Sequence, residues 1–108
     1  MIKNISVREF NEKMDSMGEN LEIIDVREPS EYEEIRIKGS KLISLGEIVE
    51  KIKEIDWTKK IILVCRSGAR SAYAAELLST NGHSDKELFN LDGGIMALDL
   101  AGCECLEK

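Results

Sequence analysis

Aromatic residues make up only 5% of the chain, and the five present (Phe10, Tyr32, Trp57, Tyr73 and Phe89) are widely separated. They form no row of rings on which nucleic-acid bases could stack. Basic charge is short as well: 15 Lys and Arg stand against 21 Asp and Glu, a net charge of -6. A phosphate-neutralising face is therefore not expected, nucleic acid is excluded as a partner, and any anion site must be local. No stretch approaches the roughly 20 apolar residues that span a bilayer, and Met1-Ile2-Lys3-Asn4 has no apolar signal core, so no membrane partner and a cytoplasmic location are expected. Three cysteines (Cys65, Cys103, Cys105) are too few for a disulfide framework, and an odd count in a reducing compartment implies free thiols. There is one proline, no low-complexity tract, no internal repeat and no linker. With 43% hydrophobic residues in 108, the chain is expected to form one domain over residues 1–108.

What is present is an alternation of apolar, β-branched runs with segments of helical period, the pattern of an α/β layer fold. Ser6 and Glu9 stand at capping-box spacing before a helix over Val7–Met17 that Gly18 would close. Leu21–Val26 reads as a strand buried on both faces. Pro29 and Ser30 open a short helix, with Ser30 and Glu33 as its capping pair, and the acidic segment Glu28–Glu34 reads as a solvated face. Lys41–Ser44 is a short strand, and Leu45, Ile48, Val49, Ile52 and Ile55 follow helical spacing, which predicts an amphipathic helix over Leu45–Ile55. Ile61–Val64 is the clearest central strand. A helix over Ala69–Thr80 follows, closed by Asn81-Gly82, then a strand over Glu87–Leu91, a turn at Asp92-Gly93-Gly94 and a short helix over Ile95–Ala101.

The segment Cys65-Arg66-Ser67-Gly68-Ala69-Arg70 lies between the carboxyl end of that central strand and the start of a helix. Ligands of open α/β sheets sit beyond the carboxyl ends of the strands, where a helix N-terminus offers unpaired N–H groups and partial positive charge. A thiolate there would be favoured by the dipole and by Arg66 and Arg70, and Gly68 lets the backbone curl so that several N–H groups point at one centre. A lone cysteine most often just ends a buried strand as a small apolar residue. Two arginines, two serines and a glycine in the six residues after Cys65 do not fit that reading, so the cluster marks Cys65 as chemical.

Val64-Cys65-Arg66-Ser67-Gly68-Ala69-Arg70-Ser71-Ala72 closely resembles the active-site loop of rhodanese-like sulfurtransferases. Three further signatures agree in order: Asp25-Val26-Arg27-Glu28 with Glu31-Tyr32, then Ile37-Lys38-Gly39-Ser40, then Leu91-Asp92-Gly93-Gly94-Ile95 with Ala97. The resemblance spans the whole chain and implies a three-layer α/β/α fold with a mostly parallel five-stranded sheet. It also implies a catalytic Cys65 that takes a sulfane sulfur from a small anionic donor such as thiosulfate or a polysulfide. The persulfide so formed is passed to a nucleophilic acceptor, a thiol, cyanide or a protein. Arg66, Ser67, Gly68, Ala69 and Arg70 would bind the donor, Asp25 and Arg27 would brace the scaffold, and no cofactor or metal is implied.

Two departures stand out. Where the family commonly has Gly-His-Ile-Pro-Gly-Ala, this chain has Ile35-Arg36-Ile37-Lys38-Gly39-Ser40, and Leu98 occupies a place that is commonly aromatic. Neither touches the loop. Phosphatases and arsenate reductases with a similar cysteine-arginine loop normally place five residues between the two, whereas four separate Cys65 from Arg70, so that reading is the minor one. A partner-binding or sulfur-carrier module is the other alternative, although non-catalytic modules usually lose the cysteine. Cys103 and Cys105 read first as a partly packed tail and second as a sulfur relay, and a metal site finds no complement in His83, which reads as a loop residue.

Overall fold

The computed structural model describes residues 1–108. Five strands form one sheet in the order β1 (Ile2–Ile5), β6 (Leu88–Leu91), β5 (Lys60–Val64), β2 (Leu21–Asp25) and β4 (Lys41–Leu42), and every neighbouring pair is parallel. Parallel strands need crossovers, which α1 (Val7–Met17), α2 (Pro29–Glu34), α3 (Ala69–Leu78) and the turns between β4 and β5 supply. The sheet is covered on both faces, as an all-parallel sheet must be. On one face Phe10 of α1 and Ile95 and Leu98 of α4 (Gly94–Leu100) pack against Ile23, Ile62, Val64, Phe89 and Leu91. On the other, Ala74, Ala75 and Leu78 of α3 pack with Ile48 and Ile55 against Ile24, Ile61, Leu63 and Leu88. The switch of face between Ile23 and Ile24, and between Ile62 and Leu63, is the two-residue period of a strand.

The α1 capping box is as expected: the Glu9 amide donates to Ser6 Oγ at 3.1 Å and the Ser6 amide to Glu9 Oε1 at 3.0 Å. In α2 the box lies two residues earlier than expected. Glu28 is the cap and Glu31 its partner, because Pro29 at the first helical position fixes the φ of the opening turn. The helix expected over Leu45–Ile55 is instead two 3₁₀ turns, Leu45–Glu47 and Ile52–Glu54. Gly46 and four β-branched residues lower helix propensity there, and the turns bury Ile48 and Ile55 equally well while leaving Val49 outside. The regular part of α3 ends at Leu78, and a wider turn over Ser79–His83 holds Gly82 at φ +100°.

Two features had no sequence signal. β1 buries only Ile5, so its alternation is too weak to read, yet it pairs with β6 from Ile2 opposite Leu88 to Ile5 opposite Leu91. A two-residue antiparallel ribbon joins β3 (Arg36–Ile37) to β7 (Leu106–Glu107), reinforced by Arg36 Nε and Glu107 Oε1 at 2.8 Å. No helix is long and apolar enough to cross a membrane.

Candidate active site

β5 ends at Val64 in the middle of the sheet and delivers Cys65 to its carboxyl edge. The side chain is only 1% exposed, so its chemistry is set by what surrounds Sγ. The Gly68 amide donates to Sγ at 3.0 Å, and Ser71 Oγ lies 3.3 Å from it. Burial is the largest single influence on the thiol and pushes its pKa up. The Ser71 hydroxyl and the amides of Ser71, Gly68 and Ser67 together outweigh burial and bring the thiol below its ordinary value. A ring of hydrogen-bond donors around Sγ thus offsets burial, and the Arg70 charge also interacts favourably with the Cys65 thiolate. Gly68 makes the ring possible: its φ of +106° turns the amides inward, a conformation that L side chains rarely adopt.

The loop is held from below by the Asp92-Gly93-Gly94 turn. Ile95 N–H donates to the Cys65 carbonyl at 2.9 Å and Met96 N–H to the Arg66 carbonyl at 3.0 Å. These bonds draw the loop carbonyls away from Sγ and leave its amides facing inward. A Cβ on Gly94 would lie 2.4 Å from the Cys65 carbonyl oxygen and 2.6 Å from the Arg66 carbonyl, so only glycine permits the approach. From the side, Asp25 and Arg27 form a buried pair at 2.8 Å; Arg27 also donates to the Ile35 carbonyl, and Val26 N–H reaches the Val64 carbonyl at 2.9 Å. With both ions satisfied, the pair sets the geometry where β2 meets the loop.

The structure separates the two arginines. Arg70 is clamped by Glu31 of α2 in a two-point pair, Nη1 to Oε1 at 2.8 Å and Nη2 to Oε2 at 2.9 Å. The hydrogen bond from Arg70 holds the Glu31 carboxyl well below the usual range, at about 2, and Glu31 in turn raises Arg70. Glu31 is therefore part of the site, not of a merely solvated face. Arg66 is exposed and makes no ion pair, as Ser67 and Ala69 also face outward while Gly68 is buried. A cavity of about 300 Å³ opens beside the loop, lined by Arg27, Glu31, Ile35, Arg66, Met96 and Asp99 among others. A larger groove of about 530 Å³ holds Trp57 and Lys60, at the opposite end of β5 from Cys65. His83 stacks on Trp57 there, with ring centroids 3.8 Å apart, and has no place in the Cys65 site.

The sequence reading passed over two residues. Ser71 stood inside the recognised motif but was given no role, and Asn90 is the single polar side chain in the buried strand Leu88-Phe89-Asn90-Leu91. That interruption was the available signal. The expectation of free thiols at the tail is corrected: Cys103 and Cys105 are joined in a disulfide, and Cys65 is the free cysteine.

A buried thiol at a strand end, with donors from the start of a helix around its sulfur and a small cleft beside its loop, is an arrangement that can hold a sulfur anion. The comparisons name the family. The rhodanese-like domain profile matches residues 6–101, and the chain belongs to that family. It is 33% identical over 106 residues to the thiosulfate sulfurtransferase GlpE of Pseudoalteromonas translucida, covering 98% of this chain and 97% of that one. It is 38% identical over 94 residues to the "Putative sulfur carrier protein YrkF" of Bacillus subtilis; this covers 87% of the chain but only 49% of the relative. The crystal structure of a rhodanese-like domain protein from Staphylococcus aureus superposes with a TM-score of 0.81 at 30% identity, covering 97% of this chain and 96% of that one.

Proposed function

We propose that the protein is a rhodanese-type sulfurtransferase, acting as one domain, in which Cys65 is the catalytic residue. The observation that carries this reading is the enclosure of Cys65 Sγ by inward-facing donors, which suits a sulfur anion at the end of β5. The thiolate attacks the outer sulfur of a donor such as thiosulfate. A Cys65–sulfur bond forms, the donor's sulfur–sulfur bond breaks, and sulfite leaves with the electron pair. In the second step a thiolate or cyanide attacks the outer sulfur of the persulfide and Cys65 departs as thiolate, so no outside oxidant or reductant is consumed and no cofactor enters. The amides of Ser67, Gly68 and Ser71 face the transferred sulfur, and Arg66 supplies the attraction for an anionic donor. Arg70 is clamped by Glu31 and so draws in the donor less than Arg66 does.

The likeness to YrkF keeps a second reading in view, in which the persulfide is handed to a protein acceptor. The phosphatase reading is disfavoured by the spacing, since only four residues separate Cys65 from Arg70.

Intact-mass measurement after incubation with thiosulfate tests the proposal. One added sulfur, mapped to Cys65 and released by cyanide as thiocyanate, is expected; Cys65→Ser should show none, and aryl phosphates should not be turned over. No sulfur on Cys65 with thiosulfate, polysulfide or a low-molecular-weight persulfide would sink the reading.

A further inference from the structure

Asn90 is 3% exposed in the middle of an apolar strand, and all its polar atoms are engaged. Its Nδ2 donates to the Gly68 carbonyl at 3.1 Å and to Asn4 Oδ1 of β1 at 3.0 Å. A backbone carbonyl can only accept, so the contact with Gly68 fixes which way the amide faces. Oδ1 must then point at Ser71, and it lies in close contact with Ser71 Oγ. Two oxygens meet that closely only with a proton between them, and Ser71 owns it. Yet Ser71 Oγ is also 3.3 Å from Cys65 Sγ. The Gly68 carbonyl lies 3.3 Å from Ser71 Oγ as well, so one proton faces three acceptors, of which Asn90 Oδ1 is the nearest.

We propose that Asn90 is a positioning residue for sulfur transfer: it holds the Ser71 proton while Cys65 carries no charge, and yields that proton to the sulfur when Cys65 is a thiolate. The proposal rests on Cys65 being the sulfur-carrying residue. It matches what the second half-reaction asks of that atom, since a leaving group gains from stabilisation of the thiolate it becomes. In the persulfide Sγ is a neutral bridging sulfur and a poor acceptor, so the hydroxyl rests on Asn90. As the acceptor attacks the outer sulfur, Sγ receives the electron pair of the breaking bond and the Ser71 O–H turns to it. The proton never leaves Ser71 Oγ; only its direction changes.

The test is the pH dependence of Cys65 alkylation by iodoacetamide, followed by intact mass on the protein with its Cys103–Cys105 disulfide in place. The charged groups around Cys65 are Arg66 and Arg70 of its own loop, the Asp25–Arg27 pair at the end of β2, Glu31 of α2 and Asp92 after β6, and all remain in every variant. Ser71→Ala should raise the apparent thiol pKa by about 0.5–1 pH unit, because a donor is lost. Asn90→Ala should lower it by up to as much, because the nearest competing acceptor is gone and only the Gly68 carbonyl still competes with Sγ. In the Ser71→Ala background Asn90→Ala should then change nothing, the signature of an effect exerted through Ser71. A purely packing role predicts the opposite: loosening of the loop and an upward shift of similar size in both backgrounds. That outcome, or no shift in the single variant, overturns the proposal. Asn90→Ser, too short to reach Ser71, carries the same expectation should the alanine variant fail to fold. Alkylation reads the thiol directly, so failure of persulfide formation would count against sulfur transfer while leaving this result to stand or fall alone.

Discussion

Two sulfur positions lie at opposite ends of α4 and are treated differently by it. At the N-terminal end, Ile95 and Met96 donate to the carbonyls of Cys65 and Arg66, and the buried thiol gathers amides and a hydroxyl. At the C-terminal end, Cys103 N–H donates to the Leu98 carbonyl, Glu104 separates the two half-exposed cysteines, and their sulfurs are bonded to each other. The amides and hydroxyl around Cys65 Sγ come from its own loop and the first turn of α3, with α4 binding only the loop carbonyls, whereas one amide, that of Cys105, reaches Cys103 Sγ at 3.3 Å. The two places differ in how many donors each supplies to sulfur.

The sharpest way to break that difference is Gly94→Ala. The new methyl would press on the Cys65 and Arg66 carbonyls, both backbone and unable to step aside, and the residue would sit at φ +58°. Displacing the amides from Sγ should cost about 100-fold in kcat/KM for sulfur loading. Stability should fall by about 2 kcal/mol in a denaturant titration. The tail disulfide should be unaffected. Loading within threefold of the parent would show that the brace from α4 does not set the loop.

A smaller effect is expected from Glu31→Gln, which releases Arg70. With a second arginine free beside Arg66, KM for thiosulfate should fall several-fold with kcat nearly unchanged; a rise in KM would mean that the clamped Arg70 is what shapes the loop. The same variant has a pH signature. The carboxyl lies at about 2 in the folded protein against an ordinary 4.5. A depressed value gives stability that is fully present above pH 4.5 and is lost as pH falls from there through about 2. Arg70 is 36% exposed, so solvent screening limits the contribution to about 1 kcal/mol. Glu31→Gln should remove that slope from an acid stability curve.

Why the loop was readable and the clamp was not follows from where each signal lies. Cys65 to Arg70 is contiguous, and the β-branched run Ile61–Val64 announces the strand that carries it. The central strands and α1, α3 and α4 were legible by the same local logic. Glu31 and Arg70 are 39 positions apart, and Asn90 and Ser71 are 19 apart, so only the parallel crossovers bring each pair together. Local pattern also misled: the spacing from Leu45 to Ile55 fits a helix, but paired 3₁₀ turns place Ile48 and Ile55 on the same core. β1 was invisible because an edge strand that buries one residue needs no alternation.

The least effect is expected at the other end of α4. A disulfide between residues two apart closes a very short loop, and the chain entropy it removes from the unfolded state grows only with the logarithm of loop length, which limits it to about 1–2 kcal/mol. The tail has other anchors that reduction leaves in place: the Lys38 amide donates to the Cys105 carbonyl at 2.8 Å, and β7 pairs with β3. Replacing both Cys103 and Cys105 by serine should therefore lower Tm by only a few degrees and leave sulfur loading of Cys65 within about twofold of the parent. Mass mapping under excess thiosulfate should find the added sulfur on Cys65 alone. A tenfold loss of transfer in the double variant, or sulfur recovered on Cys103 or Cys105 of the reduced protein, would mean that α4 joins the two positions in one reaction, and the contrast between its ends would then be a division of labour.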